Sequence, residues 1–158
     1  MTEHRDTDMS ERLEPLIGEW NMQAVFPSSS PIDSSEAQGA ARTVFGWLPG
    51  RQFLVQRWEV AHPAAPDGIA GIGFDASRGC YLQHYFDSRG VARLYEMSFA
   101  DRVWKLWRTK PDFSPLDFSQ RYTGSFSEDG RTIKRSWESS SDGSNWEHDF
   151  ELIYTKAS

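Results

Sequence analysis

A single cysteine, Cys80, stands in this chain of 158 residues, so neither an internal disulfide nor a cysteine-rich zinc site can form. No apolar run approaches the roughly 18 residues that span a bilayer. Residues 1–10 are charged where a signal peptide needs an apolar stretch. These absences predict a cytoplasmic protein with no membrane span. Basic blocks are missing as well. The first 19 residues hold six acids against two bases, −4 of the net −6, and the remaining body is close to neutral. Such a body offers no surface for tracking phosphates, which argues against nucleic acid as a partner. Lysine is scarce beyond residue 19, with 4 Lys against 11 Arg, so the positions of the planar, fork-shaped guanidinium groups matter.

Catalytic and cofactor signatures are also lacking. There is no Gly-x-Ser-x-Gly, no His-Glu-x-x-His, no Walker loop and no EF-hand pattern. Gly71-Ile72-Gly73-Phe74-Asp75-Ala76 has the outline of a dinucleotide fingerprint, but a hairpin turn and a strand follow it rather than a helix. Glu147-His148-Asp149 has metal-ligand residue types, yet strand alternation sends the carboxylates to the face opposite the imidazole. No catalytic residue and no metal site is assigned.

What is abundant is aromatic: 7 Trp, 5 Tyr and 10 Phe, accompanied by 12 Gly and 8 Pro. The helical signal is confined to the start. Met9, Leu13, Leu16 and Ile17 fall on one helical face behind an Asp8-to-Glu11 capping pattern, and Pro15 keeps the helix short. From there the apolar period is two. Ten strand-like runs follow, at 18–26, 40–48, 52–60, 69–75, 80–87, 91–99, 102–109, 118–127, 131–140 and 145–155. Tight turns such as Glu128-Asp129-Gly130 join most of them, which implies an antiparallel meander. Closing that meander hides its two edges. The predicted fold is therefore all-β: a closed antiparallel up-and-down barrel of about ten strands with a short N-terminal helix. It is read as one domain over 1–158, with a flexible tail at 1–7, a capping helix at 8–17 and the barrel at 18–156. Three longer Pro- and Ser-rich connections, 27–39, 61–68 and 110–117, are candidates to frame a mouth.

Alternation also assigns inward faces. Arg93, Tyr95, Met97 and Phe99 share one face of the sixth strand; Ile133, Arg135 and Trp137 share one face of the ninth. Phe118, Gln120, Tyr122 and Phe126 look inward on the eighth, and Trp146, His148, Phe150, Leu152 and Tyr154 on the tenth. Two strands stay ambiguous. On the third, Phe53, Val55 and Arg57 compete with Leu54, Trp58 and Val60; on the fifth, Cys80, Leu82, His84 and Phe86 compete with Tyr81, Gln83 and Tyr85. Buried Arg and His are costly unless paired, so several of them inside a wide barrel point to a wet cavity with a ligand. The candidate ligand-binding residues are Arg93, Tyr95, Tyr122, Arg135, Trp137, Trp146, His148, Tyr154 and His84. The expected ligand is a small apolar or amphipathic molecule, with an acidic group accommodated. An enzyme alternative, a cyclase, isomerase or hydrolase, would use His148 or His84 as general base. A homodimer is compatible with the sequence.

The run Leu13-Glu14-Pro15-Leu16-Ile17-Gly18-Glu19-Trp20 resembles the opening of calycin-type barrels, the group of lipocalins, fatty-acid-binding proteins and nitrobindin-like haem proteins. Gly46-Trp47-Leu48-Pro49-Gly50-Arg51-Gln52-Phe53-Leu54, Phe86-Asp87-Ser88-Arg89-Gly90, Tyr95-Glu96-Met97-Ser98 and Asp142-Gly143-Ser144-Asn145-Trp146-Glu147 are similar to a family of small bacterial calycin-like proteins without an assigned activity. The resemblance runs from about Leu13 to Lys156 and implies a barrel with a ligand inside. The lipocalin likeness implies an arginine stacked under the first-strand Trp, and Arg93 or Arg135 could stack in this way on Trp20 or on another indole. The nitrobindin likeness implies an alternative cofactor, haem, held through His148 on the last strand. Met22 and Ala24 depart from that group, which has glycines there.

Overall fold

The computed structural model describes residues 9–25, 41–60, 66–109 and 118–157. A short helix from Met9 ends in a 3-10 turn, Glu14–Leu16, with Pro15 in its first turn, where the missing N–H costs nothing. Ten strands follow: β1 (Gly18–Val25), β2 (Ala41–Trp47), β3 (Leu54–Val60), β4 (Gly68–Asp75), β5 (Cys80–Asp87), β6 (Ala92–Ala100), β7 (Val103–Arg108), β8 (Ser119–Phe126), β9 (Thr132–Ser140) and β10 (Glu147–Lys156). Each pairs antiparallel with its sequence neighbours. β1 pairs with β10 from Trp20↔Lys156 to Val25↔Glu151 and closes the barrel. The all-β barrel with its N-terminal helix is thus as the sequence predicts. The tail 1–7 and almost all of the three long connections lie outside the described residues.

Turn chemistry sets the short links. Gly79 (φ 69°) and Gly130 (φ 71°) take the left-handed conformation that their hairpins require. The β6–β7 turn does the same without glycine, through Asp101 (φ 53°) and Arg102 (φ 63°).

Strand direction gives the barrel two unlike ends. At the helix end the short links β2–β3, β4–β5, β6–β7 and β8–β9 meet the N-terminal helix. At the loop end the chain leaves and re-enters for all three long connections, beside the β5–β6 and β9–β10 turns. The helix end is sealed. Leu13, Leu16 and Trp20 are fully buried against Phe45, Phe99 and Ile133, with Met9, Phe74 and Phe126 beside them. The Trp20 indole N–H donates to the Leu16 carbonyl at 2.9 Å, and the Tyr81 hydroxyl donates to the Met9 carbonyl. Lys156 covers Trp20, its Nζ 4.8 Å from the ring and donating to the Ile17 carbonyl at 2.7 Å. The place expected for Arg93 or Arg135 under Trp20 is therefore taken by a lysine from the closing strand.

Candidate functional site

Inward faces follow the alternation on β6, β8 and β9, which carry Arg93, Tyr95, Met97 and Phe99; Gln120, Tyr122 and Phe126; and Ile133, Arg135 and Trp137. The two ambiguous strands resolve. On β3, Leu54, Gln56 and Trp58 face the core and Arg57 is exposed; on β5, Tyr81, Gln83 and Tyr85 face inward. His84 and Phe86 are exposed on the outer wall, so His84, a candidate binding residue on a strand whose facing was open, does not line the interior.

β10 brings the larger correction. Its register with β9 steps from His148↔Glu138 to Phe150↔Trp137, so residue 149 is a bulge that resets the alternation. Phe150, Leu152 and Tyr154 keep the inward side. His148 is exposed on the outer wall with Nδ1 3.4 Å from Ser136 Oγ, and Trp146 lies under the Arg121 guanidinium at 4.2 Å. Neither His148 nor His84 faces the barrel interior, so neither stands where the general base or the haem ligand was expected.

Deep inside, Arg135 is 5% exposed. Its guanidinium carbon lies 4.1 Å from the Tyr154 ring, 4.2 Å from Tyr122 and 4.4 Å from Trp104. Each such contact contributes on the order of 0.5–2 kcal/mol. Desolvation works against this and lowers the pKa of the group, but a guanidinium keeps its proton at neutral pH, so the cost falls on stability. Among the described residues Nε and Nη1 have no hydrogen-bond partner, and neither have Trp104 Nε1, Tyr122 Oη and Gln83 Oε1. Gly124, buried on the same face, leaves the room: a Cβ there would stand 3.0 Å from Tyr122 Oη and 3.5 Å from Arg135 Cγ. Tyr154 is held from the far side by Gln56, whose Nε2 donates to Tyr154 Oη (3.2 Å) and Thr43 Oγ1 (3.1 Å). Burial pushes the Tyr154 hydroxyl far up, so it stays neutral.

Toward the loop end the lining stays aromatic, with Tyr95 and Tyr122 buried and Trp58, Tyr85, Trp137 and Phe150 only half-buried. Tyr122 meets Trp137 (4.9 Å), Trp137 meets Tyr95 (5.7 Å) and Phe150 (6.4 Å), Tyr95 meets Tyr85 (6.2 Å), and Tyr85 stacks on Trp58 (5.3 Å). Trp58 lies flat on Gly68, where a Cβ would stand 2.0 Å from the indole. Arg93 Nη1 and Tyr95 Oη both donate to Gln120 Oε1, at 2.8 and 3.0 Å, and Arg93 also covers Phe118. At the rim Asp87 accepts from Tyr85 Oη (2.7 Å) and from Arg89 Nη2 (2.7 Å). Six of the nine candidate residues thus share the interior: Arg93, Tyr95, Tyr122, Arg135, Trp137 and Tyr154. Trp146, His148 and His84 do not.

Sequence reading left the facing of Trp58, Gln83 and Tyr85 undecided and missed Trp104 and the buried Arg108 as lining. Trp104, Leu106 and Arg108 alternate with Val103, Lys105 and Trp107 on β7, a signal that was present but had tryptophan on both faces. The outer wall is built differently. A shallow trough between Lys105, Trp107, Arg121, Thr123 and Glu138 holds one ion pair, Arg121 donating to both Glu138 oxygens at 3.0 and 2.9 Å. Among the described residues no three His, Cys, Asp or Glu side chains come together to hold a metal ion, and no helix is long and apolar enough to cross a membrane. Cys80 is half-buried, and burial raises its thiol pKa away from reactivity.

No protein-family model matches the sequence, and no curated protein does. Among solved structures, Rv2717c from M. tuberculosis is similar at a TM-score of 0.60 and 15% identity, over 94% of this chain and 96% of that one. At that identity the likeness speaks for the fold, a closed antiparallel barrel that suits the calycin expectation.

Proposed function

We propose that the barrel binds a small, ring-bearing amphipathic molecule that enters at the loop end and lies along the inner aromatic wall. The observation that carries this reading is the contrast between the ends. Trp20, Phe45 and Tyr81 at the helix end are fully enclosed, whereas Trp58, Tyr85, Trp137 and Phe150 face inward at the loop end and keep partial exposure. Half-exposed inward rings interleaved with a few polar anchors are how small-molecule sites are lined. The residues assigned to contact are Arg93, Tyr95, Tyr122, Arg135, Trp137 and Tyr154. Titration with N-phenyl-1-naphthylamine, a neutral dye that brightens in apolar surroundings, tests it. Saturable binding is expected, weakened about tenfold in Trp137→Ala through loss of ring stacking. Absence of saturable binding, or binding untouched by that substitution, would overturn the reading.

A further inference from the structure

We infer that Arg135, Tyr122 and Trp104 form a receptor for a single carboxylate, and that the bound molecule is a flat ring-bearing monocarboxylic acid held with its acid end inward. This rests on the interior binding reading and adds the chemistry of the group received. Arg135 Nε, Arg135 Nη1 and Trp104 Nε1 can only donate, and the Tyr122 hydroxyl beside them is free to do so. All four atoms belong to residues in mutual contact, with Arg135 over both rings and the rings 5.2 Å apart. Among the described residues no carboxylate lies within ion-pair reach of Arg135. The acid on an inward register, Asp87, sits at the rim and is taken by Arg89 and Tyr85. The cluster is therefore a buried positive charge with unused donors, and an anion supplies both the missing charge and the missing acceptors.

The charge of the ligand follows from the same count. Within this cluster the one guanidinium, Arg135, balances a monoanion, Arg93 lying further toward the loop end on Gln120, whereas a phosphate dianion would carry surplus negative charge among aromatic faces. The chain of ring contacts from Tyr122 through Trp137 to Tyr95, Tyr85 and Trp58 gives a flat body its track to the loop end.

Displacement of N-phenyl-1-naphthylamine by 2-naphthoate and by its neutral counterpart 2-naphthylmethanol tests this, with quenching of the intrinsic tryptophan emission followed in parallel. Naphthoate should compete at roughly tenfold lower concentration than the alcohol, and Arg135→Met should abolish that preference, so that acid and alcohol compete equally. Tyr122→Phe removes one donor without altering charge or volume. It should weaken naphthoate by about threefold to tenfold and narrow its advantage over the alcohol, which keeps the test decisive if Arg135→Met does not fold. Equal competition by acid and alcohol in the native protein overturns the carboxylate site and leaves interior binding standing. A preference that survives Arg135→Met, or naphthoate binding unchanged in Tyr122→Phe, overturns it as well. No binding by the dye or either competitor overturns both readings.

Discussion

Arg121 on β8 and Arg135 on β9 are the same side chain on adjacent strands, and the side of the wall decides what balances each. Arg121 faces out, grips both oxygens of Glu138 and remains partly solvated. Arg135 faces in and has only ring faces. Asp87 at the rim shows the opposite solution. Burial alone would raise its pKa, but hydrogen bonds from Arg89 and Tyr85 outweigh burial and hold it at about 2. An acid whose folded pKa lies below its unfolded one stabilises the fold fully above the unfolded value, and that stability is lost as pH falls through the folded value. Asp87→Asn should therefore cost about 1–2 kcal/mol at neutral pH, and the gap to the native protein should close between pH 3.8 and about 2. Urea unfolding across that range measures it; a gap independent of pH would mean that the carboxylate charge has no part. The same contact fixes Tyr85, whose hydroxyl is pushed upward by burial and by its bond to Asp87 and so remains a neutral donor under the ring track.

Elements differ in how far their sequence announced them. On β6 and β9 one alternation set holds the large rings and the other Glu96, Lys134, Glu138 and mostly small groups, so Arg93 and Arg135, in register with Tyr95 and Trp137, could be assigned inward from the pattern. β3 and β5 resist because the outer wall uses aromatics too. Exposed Phe53 covers Gly73, where a Cβ would stand 2.5 Å from its ring, and exposed Phe86 competes with Tyr85 for the inward register. The bulge on β10 left no trace in composition. Trp146, His148, Phe150, Leu152 and Tyr154 alternate without a break in the sequence, and only the pairing of His148 with Glu138 reveals the slip. It moved two of the nine candidate residues to the other side of the wall. The β6–β7 turn carries its own consequence. Arg102 at φ 63° bears a left-handed penalty of about 1 kcal/mol that glycine avoids. Arg102→Gly should raise stability by about 0.5 kcal/mol after the entropic cost of glycine. Its backbone bond from Phe126 N to the residue 102 carbonyl is retained. Denaturant midpoints of the two proteins decide the sign.

At the scale of the molecule the barrel is firm at the helix end and aromatic-lined toward the loop end. Stability should divide accordingly. Trp20→Ala removes a fully enclosed indole together with its bond to Leu16 and the seat of Lys156, and should cost about 3–5 kcal/mol. Trp137→Ala, half-buried toward the other end, should cost about half of that. Urea unfolding of both variants compares them, and equal losses would contradict the division. The pairing of Trp20 with Lys156 has a consequence in time as well as in space. Every other strand pair joins sequence neighbours and can form as a hairpin while the chain is being made. The first and last strands meet only after β10 has emerged, and until then the growing sheet displays two unpaired edges. Closing the ring is the step that ends this sticky interval, so the last ten residues of the wall set how long the nascent chain is open to wrong partners.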